Sequence, residues 1–600
     1  MKPPSSSSSR SSNGSIQALH MKQHPNAPRV NSMGSYSGSP APALSRADSY
    51  YRHSSQLLSE KYSQYNLSPS PQTWGTPLLI EVKEPDDDLH NPDPVKDKED
   101  GIGGVSFRGF SNVGCLTLLM TGIVALFVAY PVLSEFLKRP QTTQGGFNLG
   151  GINATGQVPA IPGNYGLIDR DTPPEAYTKS SYRTGEELVL VFSDEFNTDG
   201  RTFYPGDDPY WEAVDLHYWG TRDLEWYDPA QVTTNGGHLQ LTLDRVANRE
   251  LNHNLEYKSG MIQTWNKFCF TGGLIEASVR LPGSNTISGL WPAIWTMGNL
   301  GRAGYGASLE GLWPYSYDSC NVGTLPNQTY PGLNEPIAAL ENGDPYNGDV
   351  LSYLPGQRLS ACTCGGEAHP GPVRDGRFVG RAAPEIDLFE AAIHDGQGVV
   401  SLSAQWAPYN AQYAIHNTSG EVEFDDPALT EYNTYVGGVW QQTTSGLSLT
   451  NQRAYELTDG DFAVYGFEYK SGFDDGYITW INDGQRAWTL FQAAMDGDTA
   501  TEIGERLISR EPMYIIANLG FSENFGTIEY ELLTFPTTMS VDWIRVYQPA
   551  NQVRNIGCNP PDYPTAAYIE TYKDVYSNPN ITTWADAGQA WPRNSLVDQC

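Results

Sequence analysis

Between Arg108 and Glu135 the chain carries no charged residue. The run from Phe110 to Leu133 is almost wholly apolar, and about 20 such residues cross the hydrocarbon core of a bilayer as one helix. We therefore expect a transmembrane helix over 110–133. A buried core helix would be flanked by packed segments, but here the flanks are rich in Gly, Pro, Ser and Gln. The span lies too far into the chain, and runs too long, for the apolar region of a cleaved signal peptide.

The two sides of that span differ in kind. Of the first 70 residues 20 are Ser, with few large apolar side chains among them. Such a stretch buries too little surface to offset its chain entropy, so 1–108 is expected to be a disordered tail. The formal net charge of −32 falls on the C-terminal side, because acids and bases balance over 1–108. A polyanion is a poor partner for nucleic acid, which needs a basic face, whereas a neutral polymer meets no such barrier. Apart from Cys115, every cysteine is also C-terminal: Cys269, Cys320, Cys362, Cys364, Cys558 and Cys600. An even six suits disulfides in an oxidising compartment, with 15 possible connectivities. Glycosylation sequons at Asn153, Asn327, Asn417 and Asn580 fall on the same side, although Asn13 and Asn66 head sequons too. Lys96, Lys98 and Arg108 before the span face Lys138 and Arg139 after it, a thin positive-inside margin. Together these place the N-terminal tail in the cytoplasm and the C-terminal part in the lumen or outside the cell.

Residues 134–180 are rich in Gly, Pro, Thr and Asn and read as a stalk. From about 181 to 550, short β-rich runs recur, among them Glu187–Phe192, His238–Leu243, Gly273–Leu281, Phe462–Phe467, Tyr477–Ile481, Met513–Asn518 and Ser540–Tyr547. Many short strands without long helical periods predict an all-β, antiparallel β-sandwich, and a jelly roll leaves one concave face for a ligand. Residues 551–600 carry Cys558, Cys600 and several Pro, and read as a tail stapled to that domain.

The chemistry is expected in Pro384-Glu385-Ile-Asp387-Leu-Phe-Glu390-Ala391. On a regular strand Glu385 and Asp387 share a face and Glu390 does not. One extra residue near Leu388-Phe389, a β-bulge, brings Glu390 to the same face. Clustering like charges costs energy and drives their pKa values apart, which suits glycosidic cleavage: one carboxylate attacks the anomeric carbon while a protonated partner donates to the leaving oxygen. A bare trio of acids is more often a solvated strand edge. Here Ile386, Leu388 and Phe389 between them are apolar, which favours a central strand at the floor of a cleft. Trp291 and Trp295, four residues apart in Gly289-Leu-Trp-Pro-Ala-Ile-Trp295, can lie on one strand face and stack on sugar rings, though at least one of the two is expected in the core.

Taken together, these motifs resemble glycoside hydrolase family 16, the jelly-roll group that includes laminarinases, over about 185–550. Phe192-Ser-Asp-Glu-Phe-Asn197 is similar to its opening strand, Trp291–Trp295 to its substrate floor, Glu385–Glu390 to its bulged strand and Val541–Tyr547 to its closing strand. By that resemblance Glu385 is the nucleophile, Glu390 the acid/base and Asp387 the group that tunes them. An insert over 299–384, with Gly311–Cys320 and Tyr353–Cys364, together with the Ser-rich tail, the span and Cys558/Cys600, resembles the fungal β-1,6-glucan synthesis-associated proteins, type II membrane glycoproteins of the secretory pathway and cell surface. The insert, clipped by Cys320 with Cys362 or Cys364, could form a lid or wall over the cleft. One departure stands out: Gln405 occupies a place where laminarinase-like members often carry His, and Gln cannot become a cation. The resemblance implies a membrane-anchored retaining glycosidase or transglycosylase that remodels cell-wall β-glucan. The alternative is a non-catalytic glucan-binding scaffold, or an assembly factor with a wall-synthesis protein partner. No residue run has the spacing of a metal or cofactor site, so none is assigned.

Overall fold

A computed structural model of the chain describes residues 107–130, 166–418, 420–552 and 555–600. Most of the tail, the stalk as far as residue 165 and the sequon at Asn153 lie outside them. Helix α1 (Phe107–Val124) runs on through one π turn, Ala125–Ala129. Within it Ser111–Ala129, 19 residues of mean hydropathy 2.1, is long and apolar enough to cross a membrane. At 1.5 Å per residue this is roughly 28 Å of helix. Leu116, Leu118 and Phe127 are exposed on its surface. The hydroxyls of Thr117 and Thr121 donate to the carbonyls of Val113 and Thr117, each at 2.7 Å, so they need no partner outside the helix.

Residues from 166 onward form a second unit, an antiparallel jelly roll. Its strands of six residues or more are β1 (Glu187–Asp194), β2 (His238–Arg245), β3 (Gly273–Arg280), β4 (Trp291–Gly298), β5 (Glu385–His394), β6 (Gln397–Trp406), β7 (Gln441–Leu449), β8 (Ala463–Lys470), β9 (Tyr477–Asn482), β10 (Gln485–Phe491), β11 (Met513–Gly520) and β12 (Thr537–Pro549). One sheet orders them β10-β9-β8-β3-β12-β2. Strand β12 is long enough to pair with β2 through its first half and with the opening strand β1 through its second. The other sheet runs β7-β6-β5-β4-β11. Alternation writes the packing: in β2, Leu239, Leu241 and Leu243 are buried and the residues between them are not. They meet Ile275, Val279, Val541 and Val546 from their own sheet and Ile294, Ile386, Leu402 and Ile515 from the facing one in a single core.

The segment reaches further in both directions than its β pattern indicates. Residues 178–180, expected to be stalk, pair with β1, and the Asp169 carboxylate accepts from the Glu195 amide at 3.0 Å. Three paired residues are too few to leave a period in the sequence. At the other end, residues 566–571 and 573–577 are short helices whose Tyr568, Ile569, Val575 and Tyr576 enter a second apolar cluster, with Trp584. That cluster also takes Met297 of β4, Ile516 of β11, and Leu312 and Leu359 of the insert. Disulfides join Cys269 to Cys558, Cys320 to Cys362 and Cys364 to Cys600. The insert is thus clipped within itself and tied to the C-terminal segment. Fully buried Arg381 completes the tie: its guanidinium donates to both oxygens of Glu511 and to the carbonyls of Gly371 and Pro564, all at 2.8 Å.

Candidate active site

Strand β5 lies between β4 and β6 at the middle of its sheet. Its core-facing residues are Ile386, Leu388, Phe389 and Ala391. Two inward residues in succession mark a bulge. Ile294 of β4 faces Phe389 while its neighbour Trp295 faces Asp387, so Leu388 is the extra residue. On the other side Ile386 and Glu390 face Ala404 and Ser401 of β6. Glu385, Asp387 and Glu390 therefore share the outer face. Slipping the strand by one residue would drive the carboxylates inward and expel Ile386 and Leu388, each worth about 1.5–3 kcal/mol when buried, so the register is fixed.

Each carboxylate has its own donor. Trp313 of the insert gives its indole N–H to Glu385 Oε2 at 2.5 Å. Ser403 Oγ donates to Asp387 Oδ2 at 2.7 Å, and Gln405 Nε2 donates to the same oxygen at 3.2 Å. Trp291 Nε1 donates to Glu390 Oε1 at 3.0 Å. Gln405 is itself fixed, because Thr443 on β7 donates to its Oε1 at 2.6 Å. Asp387 is buried, and Glu385 and Glu390 are half-buried.

Burial and mutual repulsion set the protonation. Burial first, then Asp387 and Glu390, hold the Glu385 carboxyl well above the usual carboxylate range. Burial and the neighbouring Asp387 push Glu390 up to about 8. Asp387 rises only to about 6, because burial is opposed by the hydrogen bonds from Ser403, Gln405 and the neighbouring Glu385. Asp387, the residue with the most donors, is raised least, so the negative charge of the trio is best placed there. Such a site can donate a proton and keep an anion beside the donor, which is the requirement for acid-assisted displacement.

Trp291 and Trp295 point to the same outer face, and neither is fully buried. Trp291 stacks on Phe525 with centroids 4.3 Å apart. Trp295 lies at the rim of the second apolar cluster and donates to Asn518 Oδ1 at 2.7 Å. Asn518 in turn donates to the Tyr227 hydroxyl at 3.1 Å, which donates to Asp223 at 3.2 Å. Asp223 and Glu225 form a second buried acid pair, both raised by burial, Asp223 to about 6. The expected site residues Glu385, Asp387, Glu390, Trp291, Trp295 and Gln405 thus fall on one face. Asn327, Asn417 and Asn580 lie apart from it, exposed on the surface. Sequence reasoning missed Trp313 and Thr443. Trp313 sits 72 residues before its partner with no periodic signal between them. Thr443 lies in a run of polar residues, Gln441-Gln-Thr-Thr-Ser445, that carries no chemical signature of its own.

The second apolar cluster buries Met297, which pairs with Glu385, and so covers the outer face at the Glu385 end of β5. The insert and the C-terminal segment pack over the strand at that end, and Trp313 of the insert reaches Glu385. The domain is thus an antiparallel jelly roll that presents three carboxylates on one face of a central, bulged strand. The chain belongs to the family described as beta-glucan synthesis-associated protein SKN1/KRE6/Sbg1, which matches residues 76–600. It is 43% identical over 533 residues to the beta-glucan synthesis-associated protein SKN1 of Candida albicans, covering 87% of this chain and 67% of that one. It is 42% identical over 537 residues to KRE6 of Saccharomyces cerevisiae, covering 87% and 70%. Among solved structures, the catalytic domain of an endo-1,3-beta-glucanase (laminarinase) from Thermotoga petrophila is similar at 19% identity and a TM-score of 0.33, covering 61% of this chain and 100% of that one.

Proposed function

We propose that the chain is a single-pass membrane protein, with its jelly roll outside the cytoplasm, that breaks and re-forms glycosidic bonds of cell-wall β-glucan by a retaining mechanism. The observation that carries this reading is a trio of carboxylates on one face, Asp387 buried and Glu385 and Glu390 half-buried, one of which, Glu390, keeps its proton to about pH 8 beside an indole donor. A trio of this kind is costly to a fold, and a lectin has no use for it.

In this reading Glu385 attacks the anomeric carbon as Glu390 gives its proton to the departing glycosidic oxygen, so one C–O bond forms as another breaks. Glu385 must be the anion at that moment. Glu385 and Asp387 share a hydrogen bond, and passing its single proton to Asp387 moves the negative charge to Glu385 without changing the charge of the site. Gln405 and Ser403 hold Asp387 in place for this exchange. Glu390, now ionised, then takes a proton from the acceptor, and the acceptor oxygen displaces Glu385. Water as acceptor gives hydrolysis, and a sugar hydroxyl gives transfer. Trp291 and Trp295 offer ring faces to the substrate, and Asn327, Asn417 and Asn580 are surface positions open to glycosylation.

The test uses the full chain in detergent with defined β-1,3- and β-1,6-gluco-oligosaccharides, following product masses, and Glu385→Gln as control. Shorter products establish hydrolysis and longer ones transfer. Products that persist in Glu385→Gln sink the assignment, and binding without turnover makes the domain a glucan-binding scaffold.

A further inference from the structure

We propose that Tyr353 of the insert and Trp440, at the turn before β7, form an outer subsite for a β-glucan chain that runs off the carboxylates. The proposal rests on the reading above for its ligand. Single exposed aromatic rings are ordinary on protein surfaces. These two come from segments far apart in sequence, are 41% and 44% exposed, and meet edge to face with centroids 5.8 Å apart.

Both are pinned. The Tyr353 amide donates to the Val439 carbonyl at 2.9 Å, and its hydroxyl donates to the Asn347 carbonyl at 3.0 Å. Trp440 follows a two-residue strand, Gly437–Gly438, that folds back on Gln441 and Gln442. The rings thus stay in water while their backbones are held, the pre-organisation that a stacking platform needs.

Their placement points to the ligand. Glu385 faces Gln405, and Gln405 faces Thr443, so one row crosses three strands. That row is bonded side chain to side chain, with Thr443 donating to Gln405 and Gln405 to Asp387. Trp440 lies three residues before Thr443. With strands about 4.8 Å apart and a rise of about 3.4 Å per residue, the Trp440 backbone is on the order of 14 Å from that of Glu385. That is the reach of a short oligosaccharide. The chain's net charge of −32 disfavours an acidic ligand there. The apolar C–H face of a neutral glucose ring matches an indole face, and Gln441 and Tyr435, in contact beside the turn, offer polar atoms to its hydroxyls.

The experiment measures binding of β-1,3- and β-1,6-linked glucobiose and glucohexaose to the full chain in detergent, by calorimetry, on a Glu385→Gln background. Trp440→Ala and Tyr353→Ala are expected to weaken the hexasaccharide about tenfold and leave the disaccharide unchanged, and Trp440→Phe to retain most of the hexasaccharide affinity. Equal loss for both lengths, no loss, or no binding of either hexasaccharide to the parent overturns the proposal. Absence of turnover in the wild type, with the length-dependent loss intact, defeats the catalytic reading and leaves the subsite standing.

Discussion

Replacing Glu390 with Gln keeps the size of the side chain and an oxygen for Trp291, but removes a group that binds a proton. In the folded domain that carboxyl titrates at about 8, against an ordinary 4.5. Between these values the folded state holds a proton that the unfolded chain has released. The stabilisation is complete below the unfolded pKa, and it is lost as pH rises through the folded one. For one proton so held the unfolding free energy falls by about 1.4 kcal/mol per pH unit. Integrated from pH 6 to pH 8, the loss comes to about 2 kcal/mol, reduced to the extent that water reaches the half-buried carboxyl. Glu390→Gln cannot lose this. Urea unfolding followed by tryptophan fluorescence at pH 6 and pH 8 should show the variant gaining on the wild type by up to about 2 kcal/mol across that interval. Parallel pH dependence in the two proteins would refute the claim that Glu390 is held protonated, and with it the assignment of the acid.

Trp313→Phe keeps an aromatic ring in the wall but removes the only N–H it gives to Glu385; turnover should fall tenfold or more while urea unfolding is unchanged, and unaltered turnover would remove Trp313 from the site. Arg381→Met strands the Glu511 carboxylate in the interior and should destabilise the domain by about 3–5 kcal/mol; a second change, Glu511→Met, should recover most of it, which a purely steric defect would not allow.

The trio was legible because its logic is local. Alternation fixes which side chains share a face, and the apolar Ile386, Leu388 and Phe389 show which face is inward, so a single bulge suffices to bring Glu390 round. The same holds for β2, whose leucines alternate without a break. The wall was not legible, because nothing in it repeats. The insert is held by backbone bonds such as Arg358 to Gly311 and by Gln357, which donates to the carbonyls of Tyr317 and Arg381. Contacts of that kind leave no period. Six cysteines allow too many pairings for spacing to choose among them. Asp223 and Glu225 were missed for another reason: two acids look solvated until Tyr227 and, from a distant segment, Asn518 close over them.

The long disulfides also impose an order in time. Cys269 waits for a partner 289 residues later, and Cys364 for one 236 residues later. As the chain emerges from its N-terminal side, the sandwich strands up to β6 can meet while the wall still lacks Glu511, Pro564 and Trp584. During that interval four unpaired thiols, at Cys269, Cys320, Cys362 and Cys364, are exposed to one another, and oxidation in the wrong pairing would trap the insert away from β5. Closure of the domain around β5 therefore waits for Cys558 and Cys600. A chain arrested before Cys558 would carry all three carboxylates yet lack the wall that holds Trp313 against Glu385.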